Sequence, residues 1–323
     1  MGLSLAALFG LGGCRPADNG EAPERVSVAL PQVPHAGLVH LAFARGFFAA
    51  RGLSVTLLPQ IHGKAALAEL LRGGSDLAVV ADVPVVVELL KGAQLSIAAT
   101  VANASNELAV VARRDRGISR PADLRGRRIG VTLGTSGEYF LWAFLVHHRM
   151  APQSLQFVDL PPGRLIGAVR EGLVDAIAAW QPNRHQAELE FGDAAVTLTA
   201  PDAYAQGFVL VGQSKALASR QPALRRFLQA LLDAERYVMA EPRQAKSELA
   251  GLLKITPATL DPSWDELTLE VEQQQAQLVT LEDVAAWAMA RGYAPAQPMP
   301  NFLSSLSLDA LLAISPERVT VVR

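Results

Sequence analysis

From residue 26 onward, short apolar runs alternate with longer stretches of helical periodicity. Strand-like runs occupy residues 26–30, 53–58, 76–81, 95–101 and 108–112. Between them, the apolar spacing over 37–50, 64–72 and 83–91 predicts helices, and Gly52, Gly73 and Gly92 stand where C-capping glycines stand. The runs LAVVA and LAVVAR are almost unbroken apolar stretches, as expected of parallel strands covered on both faces. The alternation restarts with strands at 128–132, 155–159, 174–179 and 195–198, and helices at 136–148, 163–171 and 183–190. A further strand at 208–212 precedes a mostly helical remainder, whose helix at 223–240 carries Leu224, Phe227, Leu228, Leu231 and Leu232 on one stripe.

Repeated strand–helix–strand units imply an α/β fold with doubly wound sheets. The second α/β unit is flanked by strands on both sides, which points to insertion rather than tandem domains. The expected organisation is a first lobe of residues 26–112 and 206–323 around a second lobe of 113–205. The chain would cross between them near 110–114 and 204–208. Ligands of open α/β sheets bind beyond the carboxyl ends of the strands, so the cleft between two such lobes is the expected site.

The first residues follow a different rule. MGLSLAALFGLGG is apolar or small, too short to span a bilayer and the length of a signal-peptide core. It ends in Leu11-Gly12-Gly13-Cys14, which resembles the lipobox of bacterial lipoproteins. That resemblance implies removal of the leader before Cys14, diacylglyceryl attachment to its sulfur, and anchoring to a membrane. Residues 15–25, polar with Pro and Gly, read as a tether.

Charge removes one function class. With 29 Lys and Arg against 31 Asp and Glu, the formal charge is −2, without the basic excess of a nucleic-acid binder. Catalytic motifs fail on spacing. Gly134-Thr135-Ser136-Gly137-Glu138 has Glu where GxSxG needs Gly, and no Walker A sequence or GxGxxG after a strand is present. The six His residues do not fall at metal-ligand spacing, so no metal or other cofactor is expected.

What remains is a set of strand-to-helix loops. Thr135-Ser136 follows a strand and opens a long helix, whose first N–H groups lack intrahelical acceptors and suit an anion or a carbonyl oxygen. Thr135-x-x-Glu138 also fits a capping box. Asp82-Val83-Pro84 is a second helix opening, with Asp82 as N-cap or cleft residue. The loop at 60–64 brings His62 and Lys64 forward. Trp180-Gln181 ends a strand with an aromatic body and an amide.

In their order along the chain, these segments resemble the NitT/TauT family of ABC-transporter substrate-binding proteins. The carriers are Phe43-Ala44-Arg45-Gly46-Phe47-Phe48 with Gly52-Leu53-Ser54-Val55, then Gly73-Gly74-Ser75-Asp76-Leu77-Ala78, then Asp123-Leu124-Arg125-Gly126-Arg127-Arg128-Ile129-Gly130-Val131. The resemblance implies a type II periplasmic-binding-protein fold, with two doubly wound lobes, a two-strand hinge and ligand capture by closure. It implies ligand contacts from His35, Gly37, His62, Gly63, Asp82, Val83, Asn103, Thr135, Ser136, Trp180 and Gln181. Several members carry an acidic residue at the position of Gln181 to hold an amine, so the Gln here speaks against an amino ligand. The implied function is non-enzymatic: a periplasmic or cell-surface monomer that captures a small organic or inorganic anion or a heterocycle and delivers it to a membrane permease. An enzyme of thiamine-pyrimidine synthesis and a periplasmic sensor are the alternatives.

Overall fold

The computed structural model describes residues 22–200 and 203–322. Cys14 and the leader lie outside the described residues, as does the tether up to residue 21. Eleven strands follow in chain order: β1 (Glu24–Pro31), β2 (Leu53–Gln60), β3 (Leu77–Ala81), β4 (Leu95–Ala104), β5 (Ala109–Arg113), β6 (Arg128–Val131), β7 (Gln156–Asp159), β8 (Ala176–Ala179), β9 (Ala195–Leu198), β10 (Gln206–Gln213) and β11 (Leu267–Thr268). They form a six-stranded sheet, β11-β4-β10-β3-β1-β2, and a five-stranded sheet, β7-β6-β8-β5-β9.

Each sheet has a parallel part and one antiparallel strand set inside it. In the first, β1 pairs in parallel with β2 and β3, while β10 runs antiparallel to both β3 and β4. In the second, β6 pairs in parallel with β7 and β8, while β5 runs antiparallel to β8 and β9. Both inserted strands lie just after a crossing between the sheets.

Three expectations change. The strand expected at 108–112 would lie in the first lobe with parallel neighbours, yet β5 belongs to the second sheet and is antiparallel on both sides. An apolar run reports burial of both faces, not direction, so it could not tell the two apart. The first crossing is therefore residues 105–108 rather than 110–114. Residues 24 and 25, expected in the tether, open β1. The single helix expected over 37–50 is two, Gly37–Ala44 and Phe47–Ala50, because Gly46 adopts a left-handed φ of 72° between them.

Packing follows the periodicity. Helix Gln221–Ala240 lays Leu224, Phe227, Leu228 and Leu231 on one face of the first sheet, together with Leu38 and Leu41 of helix Gly37–Ala44. Helices Gly63–Leu71 and Asp82–Leu90 cover the other face, and that apolar cluster continues through Trp287 into Tyr139, Leu141 and Phe144 of helix Ser136–His147. The second sheet has its own small core at its outer face, from Leu165, Val169, Ile177 and Phe191.

Phe227 is fully buried and its ring lies 4.6 Å from that of Phe48. Phe227→Ala is expected to cost roughly 3–5 kcal/mol of folding stability, read as a lower urea midpoint. A midpoint within error of the parent would contradict this packing.

Candidate functional site

The carboxyl ends of β1, β2, β6 and β8 converge with the start of β10 on a cavity of about 100 Å³ between the sheets. The first lobe contributes His35, His62, Gly63 and Lys64, and the second contributes Thr135, Ser136, Trp180 and Asn183. Gln206 and Phe208 of β10 complete the lining.

Each wall has a local cause. His62 caps helix Gly63–Leu71, its Nδ1 accepting the Ala65 N–H at 3.0 Å. Its Nε2 consequently carries the proton. Burial, with Lys64 adding to it, lowers the His62 pKa. Gly63 lets that helix start approach β3: a Cβ there would lie 3.2 Å from the Val80 Cα. Lys64 Nζ donates to the Leu133 carbonyl at 3.0 Å, linking the lobes at the rim.

On the facing side, Thr135 caps helix Ser136–His147. Its hydroxyl accepts the Gly137 N–H at 3.2 Å and donates to the Thr132 carbonyl at 2.6 Å. The expected capping box is not closed by Glu138, which instead accepts the Gly134 N–H at 2.8 Å, an ion pair from Arg291 at 2.9 Å and a hydrogen bond from Tyr293. Glu138 is fully buried within this cluster and does not line the cavity. Trp180 packs so tightly on the helix start that a Cβ on Gly137 would lie 3.0 Å from its ring. Ser136 presents its hydroxyl to Gln206, whose Nε2 donates to it at 2.7 Å.

His35 stacks on Phe208 with ring centroids 4.2 Å apart. Its Nε2 lies 2.5 Å from the carboxylate of Glu107, a buried residue of the first crossing. The other Glu107 oxygen accepts the Gln181 backbone N–H at 3.2 Å.

A model of the family described as "NMT1/THI5 like" matches residues 32–245, more than half of this 323-residue chain. The chain belongs to the NMT1/THI5-like family. A Brucella abortus protein that carries a binding-protein name is 26% identical over 177 residues, covering 52% of this chain and 51% of that one. The taurine-binding periplasmic protein of Escherichia coli K12 is 34% identical over 112 residues, 34% of this chain and 31% of that one. The chain thus spans about half the length, or less, of these curated relatives.

Among solved structures, the alkanesulfonate-binding protein SsuA of Xanthomonas axonopodis pv. citri superposes with a TM-score of 0.77 at 18% identity, covering 89% of this chain and 99% of that one. The nitrate-binding protein NrtA of Synechocystis gives 0.72 at 14%, covering 91% and 90%. The desulfurization enzyme DSZB gives 0.66 at 16%, covering 90% and 98%. At such identities the likeness establishes the fold, the α/β periplasmic-binding-protein fold.

Within this family member, six of the eleven residues expected at the ligand line the cavity: His35, His62, Gly63, Thr135, Ser136 and Trp180. The other five do not. Gly37 packs under Leu249 and Leu269, and Val83 is in the core. Gln181 is buried behind the wall, its Oε1 accepting the His185 N–H, so its identity says nothing about an amino ligand. Asp82 and Asn103 border a second cavity of about 200 Å³. The cause is strand alternation, which sends Gln206 and Phe208 to one face of β10 and Gly207 to the other.

Gln206, Phe208 and Glu107 were not among the expected residues. The expected second crossing at 204–208 was the one signal that covered two of them.

Asp82 accepts from Tyr204 and from the N–H groups of Gly207 and Val83, at 3.2 and 2.7 Å. Burial nevertheless raises its pKa to about 6, the hydrogen bonds opposing the shift only in part. Burial, and then Glu270, also raises that of Glu272 across the cavity. With the folded-state value of Asp82 above the unfolded one, the folded chain keeps a proton that the unfolded chain releases. Its contribution to stability is full below about pH 3.8 and lost as pH rises to about 6. Asp82→Asn is expected to flatten the Tm–pH profile over that window. An unchanged profile would rule out Asp82 as its source.

Proposed function

We propose that this chain is the extracytoplasmic substrate-binding protein of an ABC importer, holding a small organic or inorganic anion or a heterocycle between its lobes. The reading rests on one observation: a single cavity walled by polar groups from both sheets. Reversible capture needs no more than this. The start of helix Ser136–His147 supplies N–H groups and a partial positive charge, and Trp180 and Phe208 supply apolar area. His35, His62, Gly63, Thr135, Ser136 and Trp180 are the proposed contacts in this chain. The names of the alkanesulfonate-, nitrate- and taurine-binding relatives favour an anionic group on the ligand.

Lobe closure would bury the ligand and present the closed form to a membrane permease. The chain would act as a monomer in the periplasm or at the cell surface, held by lipid on Cys14. Replacing Cys14 by Ser is expected to move the protein from the membrane to the soluble fraction on cell fractionation. Retention in the membrane would defeat the lipid-anchor reading.

Because an enzyme shares the fold, capture without turnover is part of the proposal. A thermal-shift screen of the soluble chain against sulfonates, nitrate, carboxylates and neutral heterocycles tests it. A ligand at 100 times its Kd is expected to stabilise by about 2.7 kcal/mol and to be recovered unchanged. No shift with any class, or recovery of a converted compound, would overturn it.

A further inference from the structure

Two polar atoms of the cavity lining are buried without a partner among the described residues. Gln206 is 2% exposed, and while its Nε2 is committed to Ser136 Oγ at 2.7 Å, its Oε1 receives no donor. His35 is 1% exposed, and its Nδ1 has no partner either. His35 Nε2 lies 2.5 Å from a Glu107 carboxylate oxygen, and in the tautomer that carries its proton on Nε2 the unpartnered Nδ1 is an acceptor. Both residues line the same cavity, one from the turn after β1 and the other from the start of β10.

Asn183 brings both a donor and an acceptor to the lining, while three other polar groups are of the opposite kind. His62 spends Nδ1 on its helix cap, which leaves Nε2–H as a donor. Lys64 is an ammonium, and Ser136 opens a twelve-residue helix where backbone N–H groups lack intrahelical acceptors. The cavity therefore holds donors for an oxygen-rich end and two empty acceptors as well. A buried acceptor left empty costs a desolvation penalty that a matching donor removes.

We propose that the ligand carries an N–H or O–H donor beside its acceptor end, and that Gln206 Oε1 and His35 Nδ1 receive it. This rests on the capture reading above and narrows its ligand class. A solute without a donor, such as nitrate or a simple alkanesulfonate, leaves both acceptors empty on closure. Sites built to pair with a substrate N–H or O–H reject analogues that lack it. Gln206 is then a specificity-determining residue.

Calorimetric titration of two matched pairs tests this, since each pair keeps its head group and exchanges an ammonium for a methyl: taurine against propane-1-sulfonate, and β-alanine against butanoate. The amino member is expected to bind about tenfold tighter or more, from the desolvation penalty of one acceptor alone. Gln206→Leu is expected to bring the ratio close to one. Gln206→Glu keeps the length and presents two acceptor oxygens, so it is expected to widen the ratio. Circular dichroism and Tm check that both variants fold. Equal affinity within the pairs, a ratio that survives in Gln206→Leu, or silence from both pairs overturns the donor rule. If another solute in the thermal-shift screen still binds, the capture reading stands without it; if nothing binds, both fall.

Discussion

The seam between the lobes depends on one buried carboxylate. Glu107 sits in the first crossing at 1% exposure, where an ionised group is tolerated only if its oxygens are hydrogen-bonded. One oxygen is met by His35 from the turn after β1, the other by the Gln181 backbone N–H from the loop after β8. Arg184 adds hydrogen bonds to the Asn106 and Glu107 carbonyls at 2.5 and 3.4 Å. Satisfying this group brings a segment of each lobe to a common point. It also fixes the orientation of the His35 ring, whose face stacks on Phe208.

A second constraint acts from the carboxyl-terminal part of the chain. Helix Gln275–Ala290 packs against helix Asp82–Leu90 of the first lobe, while Trp287 meets Tyr139 of the second edge-on with centroids 5.3 Å apart. Just beyond it, Arg291 and Tyr293 satisfy the fully buried Glu138, which in turn holds the Gly134 N–H. The turn that opens helix Ser136–His147 is thus braced by Arg291, Tyr293 and Glu138. Pre-organisation of this kind lowers the ordering cost of binding.

The sequence disclosed the parts governed by local rules. Apolar periodicity marked the strands and helices of both lobes, and Thr135-Ser136 was visible as a helix start because capping is a short-range requirement. His62 stood out through its place in a loop that follows a strand, and Gly63 came only from the family resemblance. What local rules do not govern was missed. The direction of β5 is decided by its neighbours in the sheet, which an apolar run does not encode. Asp82 and Asn103 have the right chemistry at the right strand ends but border the other cavity. Gln206 and Glu107 have no motif around them, and only the meeting of distant segments gives them a role.

Strand β10 shows how much depends on that meeting. Its alternation gives Gln206 and Phe208 to the interlobe cavity and Gly207 to the cavity of Asp82 and Glu272. A slip of one residue would exchange the faces, placing glycine at the interlobe cavity and a glutamine amide among the acids. In the observed register, the two acids sit behind the strand with raised pKa values, and the nearest carboxylate in front, Glu107, is spent on His35 and Gln181. Among the described residues that line the interlobe cavity, Lys64 carries the fixed charge and none is acidic. With the helix start adding its partial positive charge, the field across the cavity favours a negative end near Ser136 and Lys64. On the proposed reading, the two unpartnered acceptors set what else the same molecule must present.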